Sequence, residues 1–126
     1  MAKEDDLIEI LETFEYPVFR QGSMSEDEAY PDTFFTFWNT SEDEHSPYDD
    51  DTIIVEYNFD IYVYSNDPER AYSLLSDARS KLKQAGWIIM SRGYDVESDQ
   101  SSHIGRGMAI AYLETLSINQ GGQNNA

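Results

Sequence analysis

Residues 52–65 fall into two alternating phases. Ile53, Val55, Tyr57, Phe59, Ile61 and Val63 share one, and Ile54, Glu56, Asn58, Asp60, Tyr62 and Tyr64 share the other. A period of two held this long predicts one β-strand. At roughly 3.3 Å per residue it would run about 40 Å, against a usual strand length of about five or six residues. Part of it is therefore expected to project from the body of the domain. The stretch before it, Thr33 to Thr40 (TFFTFWNT), is β-branched and aromatic and predicts a strand with apolar side chains on both faces. An eleven-residue loop, Ser41 to Asp51 (SEDEHSPYDDD), is expected to join the two into a long β-hairpin.

Helical periods flank this hairpin. Leu7, Ile8, Ile10, Leu11 and Phe14 predict an amphipathic helix over residues 4–15, with Glu4, Asp5 and Asp6 at the positive end of its dipole and Pro17 beyond it. A short strand through Val18-Phe19-Arg20 follows, then a loop over residues 21–32. After the hairpin, Asp67 is placed to cap a helix that starts on Pro68 and Glu69. Ala71, Leu74, Leu75, Ala78, Leu82 and Ala85 form its apolar stripe, Lys81 and Lys83 sit in its last turns, and Gly86 closes it in a left-handed cap. Trp87 to Ser91 reads as a strand, Arg92 to Asp95 as a turn, residues 97–105 as a polar loop, and Gly107 to Leu116 as the last strand. The order predicts an α+β fold: a single antiparallel or mixed sheet of four to five strands, two helices packed largely on one face, and a long projecting β-hairpin. Residues 1–118 form one domain in this reading, and 119–126, rich in Gln, Asn and Gly, a flexible tail.

Composition narrows the function classes. At 126 residues the chain suits one domain. Nine Tyr, six Phe and two Trp argue against a disordered acidic chain, and the absence of cysteine excludes disulfides and thiolate metal sites. No apolar run approaches the roughly 20 residues of a membrane span, and the acidic start, Lys3-Glu4-Asp5-Asp6, is unlike a signal peptide. An intracellular or particle-bound protein is expected. The formal charge of −17 opposes nucleic-acid binding through a basic footprint. That charge is polarised: residues 26–51 carry ten acids, no Lys or Arg stands between Arg20 and Arg70, and Arg70, Arg79, Lys81 and Lys83 crowd one short stretch. A solvated surface is one reading, and docking of complementary faces is the other.

Candidate chemistry is sparse. Phosphate-loop, zinc-protease and nucleophile-elbow motifs are absent, and Gly105-Arg106-Gly107 lacks the third glycine and the strand-to-helix setting of a dinucleotide loop. Two histidines, His45 and His103, are too few for a multi-histidine metal site in one chain, and Ser101-Ser102-His103 makes no triad by adjacency alone. Glu42, Asp43, Glu44, Asp49, Asp50 and Asp51 offer oxygen ligands for a hard cation, but their spacing matches no EF-hand. A solvated or docking loop is the expectation there. Tyr62 and Tyr64, on the polar phase of the long strand, either cover core at its end or anchor an interface. Trp38 poses the same choice, with core packing as the default.

Several segments taken together carry a family likeness. They are Tyr30-Pro31-Asp32-Thr33-Phe34-Phe35-Thr36-Phe37-Trp38, residues 57–68 (YNFDIYVYSNDP), Ala85-Gly86-Trp87, Gly93-Tyr94-Asp95-Val96 and His103-Ile104-Gly105-Arg106-Gly107. In order and spacing, over roughly residues 5–116, they resemble small tail-completion proteins of long-tailed bacteriophages, the tail terminator or tail-to-head joining group. The resemblance implies a non-enzymatic virion subunit, without cofactor, catalytic residue or metal. It would form a hexameric ring on the head-proximal end of the tail tube, made in the host cytoplasm, that ends tube growth and receives the head. The implied partners are further copies of itself, the major tail tube protein and head-tail connector or neck proteins, with DNA only passing through and no membrane. By position, the hairpin with Trp38, Tyr62, Tyr64 and the 41–51 acids is expected at ring or tube contacts. The opposing charges would be Arg79, Lys81, Lys83, Arg92 and Arg106, with Arg92 and Arg106 near acidic neighbours. The alternatives are a connector or neck protein of the same particle and, from another class, an acidic inhibitor that mimics DNA.

Overall fold

The computed structural model describes residues 3–21, 23, 30–46 and 52–117. Helix α1 spans Lys3–Glu12, strand β1 Val18–Arg20, β2 Thr33–His45, β3 Thr52–Ser65, helix α2 Pro68–Gln84, β4 Ile88–Ile89, β5 Tyr94–Val96 and β6 Ile104–Ser117. The fold is α+β, with two helices and one mixed sheet ordered β1-β2-β3-β6-β4, and β5 also pairs with β6. β1 lies parallel to β2, and every other pairing is antiparallel.

Five strands form the main order, and a sixth is added because Tyr94–Val96, which overlaps the Arg92 to Asp95 turn, pairs with Gly105–Gly107. Ile104 and Gly105 leave the expected loop and, with Arg106, join β6, where they pair with Ser65, Tyr64 and Val63 of β3. The strand read from Trp87 to Ser91 shrinks to Ile88–Ile89. The hairpin loop is likewise shorter than expected, since β2 continues through Ser41, Glu42, Asp43, Glu44 and His45. Those polar residues have poor strand propensity, but β3 runs past Asn58 and presents backbone groups that need partners. The Asn58 amide donates to Ser41 Oγ at 3.0 Å, and His45 Nε2 meets Glu56 Oε1 at 3.1 Å, so side chains hold the same ladder. Helix α1 stops at Glu12 instead of residue 15. Phe14 and Glu15 donate to carbonyls three residues back, and Glu15 takes a φ of 69° that closes the turn before Pro17.

Helix α2 follows its sequence signals closely. Asp67 accepts from the Glu69 amide at 3.1 Å, Pro68 opens the helix, and Gly86 follows its end at φ +97°. Both helices lie on one face. Leu7 and Leu11 of α1 and the Ala71, Leu74, Leu75, Ala78 and Leu82 stripe of α2 pack on Phe35, Phe37, Phe59, Ile61, Val63, Met108 and Ile110. Trp87 is buried against Phe59 and Tyr112, with ring centroids 5.8 and 5.2 Å away. Toward the hairpin tip the cluster ends at Tyr57 and Tyr112. A bulge at Thr40, between the Asn39–Phe59 and Ser41–Asn58 pairs, exchanges the faces of β2. Before it Phe35 and Phe37 face the helices, and after it Glu42 and Glu44 do.

Candidate assembly surfaces

Beyond Tyr57 and Tyr112 the sheet continues as a three-stranded arm made of the far ends of β2, β3 and β6. Its helix-side face carries Ile53, Val55 and Leu116 beside Glu42, Glu44 and Glu114. Tyr57 donates to Glu114 at 2.9 Å at the root of the arm, and that bond to a carboxylate raises the Tyr57 pKa. No described strand pairs with the outer edge of β2 after Phe37 or with that of β6 after Ala111. Leu113 and Leu116 are 48% and 45% exposed there. An open edge bearing apolar side chains, as that of β6 does, is what a monomeric sheet normally avoids, whereas the β2 edge of the arm is charged. Glu42, Asp43 and Glu44 alternate between the faces of β2, which separates carboxylates that a loop would gather. Asp49, Asp50 and Asp51 lie outside the described residues, as do residues 119–126.

The face opposite the helices carries a tyrosine layer. Tyr62 and Tyr64 of β3 and Tyr94 of β5 flank a β6 stripe made only of Gly105, Gly107, Ala109 and Ala111, and Phe34 of β2 lies beyond Tyr64. The stripe must be small because rings lie across it. A Cβ on Gly107 would stand 2.7 Å from Tyr62 Cδ1 and 2.8 Å from Tyr94 Cε1. Tyr64 stacks on Phe34 with centroids 5.3 Å apart. Tyr62 and Tyr64 thus cover the sheet and are partly buried by it, and this desolvation raises the phenol pKa of Tyr62, Tyr64 and Tyr94. Trp38, on the same face, departs from its core-packing default at 50% exposure. A cleft of about 230 Å³ opens between Phe19, Arg20, Tyr30, Phe34, Tyr64 and Asp99. Beside it His103 Nε2 meets the Pro31 carbonyl and Nδ1 meets Ser102 Oγ, both at 2.8 Å. The group orienting His103 is a neutral carbonyl where a hydrolase triad has a carboxylate.

Basic residues gather along the outer side of α2 and the β4 edge. Arg79, Lys83 and Arg92 line a cleft of about 420 Å³ with Ile89, Met90 and Ser91. Arg79 donates to the Arg92 carbonyl at 2.9 Å and to Ser76 Oγ at 3.3 Å. Lys81 points away from this cleft and donates to Thr13 Oγ1 at 2.7 Å. Arg106 is different again. It donates to Asp95 at 3.0 Å, lies 4.7 Å from the Tyr72 ring centroid, and leaves its buried Nε without a partner among the described residues. Its guanidinium crowds Gly93, where a Cβ would come within 2.6 Å.

No protein-family model matches this chain, and no curated protein is significantly similar to it. The geometry therefore ranks the sequence candidates. It gathers Arg79, Lys83 and Arg92 into one cleft, aligns Glu42 and Glu44 on one arm face, and joins Tyr62 and Tyr64 in one aromatic layer. It separates Lys81 and Arg106 from these groups. Sequence reasoning missed Met90, Leu113, Leu116 and Tyr94. Their exposure or layer membership depends on where the ladder of β6 loses its outer partner, and no local pattern encodes that. Among the described residues, no three His, Asp or Glu side chains converge on a metal position.

Proposed function

We propose that this protein is a tail-completion subunit of a long-tailed bacteriophage. It forms a ring on the head-proximal end of the tail tube, stops tube growth and presents the surface on which the head docks. The observation that carries the reading is the three-stranded arm, which extends past the helices with exposed Leu113 and Leu116 on an edge that no described strand pairs. Such a surface gains stability when another chain covers it. The segments from Tyr30 to Gly107 that resemble tail-completion proteins supply the kind of partner, and the polarised charge supports oriented contacts between copies. Cyclic, head-to-tail contacts turn one arm and one receiving surface into a closed ring.

The test is direct. The protein is mixed with tail tubes assembled from the major tail protein of the same phage and viewed by negative-stain electron microscopy. Rings capping tube ends and a halt in tube growth are expected. Binding to heads alone would support a connector or neck protein instead, and binding to a nuclease with no effect on tubes would support a DNA mimic.

A further inference from the structure

We infer that the basic cleft of Arg79, Lys83 and Arg92 receives the acidic arm of a second copy of this chain, an inference that rests on the ring reading above and specifies its subunit contact. Among the described residues, Lys3, Arg20, Arg70 and Arg106 each have a carboxylate within 4.0 Å. Among the described residues Arg79, Lys83 and Arg92 have none, and neither does Lys81, which donates to Thr13 instead, although the chain holds 25 acids against 8 Lys and Arg. Three neighbouring cations without a carboxylate partner among the described residues offer a surface open to counter-charge from a second copy.

The rim of the cleft identifies the counter-surface. Met90, 60% exposed, and Ile89 line the cleft beside the three cations, so the ligand must offer apolar area as well as negative charge. The helix-side face of the arm offers both: Ile53, Val55 and Leu116 form an apolar strip flanked by Glu42, Glu44 and Glu114. Duplex DNA lacks the apolar component, and a chain of charge −17 repels its phosphates. The same net charge opposes approach of a second copy, but salt screens that term beyond about 8 Å at about 0.15 M, whereas charges brought into contact and partly dehydrated are screened less. The arm and cleft are different surfaces, so the contact is heterologous and propagates from copy to copy.

The chain has no cysteine, which makes site-directed cross-linking clean. Full-length Glu44→Cys and Lys83→Cys variants are mixed at about 0.15 M salt and oxidised, with Glu44→Cys plus Asp77→Cys as the control pair. The expected result is a heterodimer yield several-fold above the control. Charge reversal in the cleft (Arg79→Glu, Lys83→Glu, Arg92→Glu) or on the arm (Glu42→Lys, Glu44→Lys) is then combined with sedimentation velocity. Each reversal is expected to weaken self-association at least about tenfold, and the chain carrying both is expected to regain it. Circular dichroism checks that the variants are folded. Cross-linking no better than the control, or reversals without effect, overturns the arm-in-cleft contact, and tube capping by the same variants would leave the ring reading standing. Specific cross-linking by a protein that fails to cap tubes upholds the contact and removes the ring-on-tube reading. Loss of duplex-DNA binding in the cleft variant, with cross-linking unchanged, makes the cleft a phosphate site and overturns the inference.

Discussion

Replacing Gly107 by Ala probes the tightest layer of the open face. The new methyl would lie 2.7 Å from Tyr62 on β3 and 2.8 Å from Tyr94 on β5, with one ring on each neighbouring strand. To reach an ordinary 3.4 Å contact, the rings must yield by roughly 0.6–0.7 Å in opposite directions. Overpacking of this kind costs about 1–3 kcal/mol, offset by about 0.5 kcal/mol from the lost flexibility of glycine in the unfolded chain. A net loss of about 1–2 kcal/mol is expected, which lowers the Tm by about 3–5 °C per kcal/mol in a domain of this size. Gly105→Ala should cost more, about 2–3 kcal/mol, because its methyl meets the Val96 carbonyl oxygen at 2.9 Å as well as side chains. That oxygen belongs to the β5 backbone and cannot rotate aside. The assay is urea and thermal unfolding by circular dichroism, with Gly107→Ala repeated in a Tyr62→Ala background, where its cost should shrink by about 1 kcal/mol. A neutral Gly107→Ala, a Gly105→Ala that costs less than it, or strict additivity with Tyr62→Ala would refute the packing described for this face.

Other expectations follow from the same structure. Tyr62, Tyr64 and Tyr94 hold their phenolic protons more tightly folded than unfolded, so their contribution is complete below the unfolded value of about 10 and is lost as pH rises through the folded values. Stability should therefore fall above about pH 10. Their tyrosinate absorbance should rise together with the loss of circular dichroism, and a rise completed well before that loss counts against the layer. Asp67→Ala removes the cap of α2 and should cost about 1 kcal/mol, whereas Asp67→Ser should stay within a few tenths; equal losses in urea melts would argue against capping. Leu113→Lys and Leu116→Lys should change stability by no more than about 0.5 kcal/mol, since both side chains are half exposed, yet abolish tube capping in micrographs. Capping at the wild-type level would exclude this part of the arm from the contact.

The two helices, the long β3 and the α+β class were legible because each rests on local physics. Ala71 to Leu82 repeats at helical spacing, Asp67 and Pro68 satisfy the first-turn geometry, and Ile53 to Val63 alternates as a half-buried strand must. The strongly acidic segment between the hairpin strands and the basic stretch of α2 were equally plain, because charge along a chain needs no fold to be counted. Tertiary structure decided the rest through pairing. Ser41 to His45 are poor strand formers, and they extend β2 because β3 offers a ladder to complete. The bulge at Thr40 sets which carboxylates face which side, and register places Tyr62, Tyr64 and Tyr94 over glycines more than forty residues from the β3 pair in sequence. Arg79 and Arg92 share a cleft only because the turn after α2 returns the chain along the β6 edge. Burial period and capping act within a few residues, so sequence carries them; face, register and the neighbours of a charge are long-range properties, settled only when the strands meet.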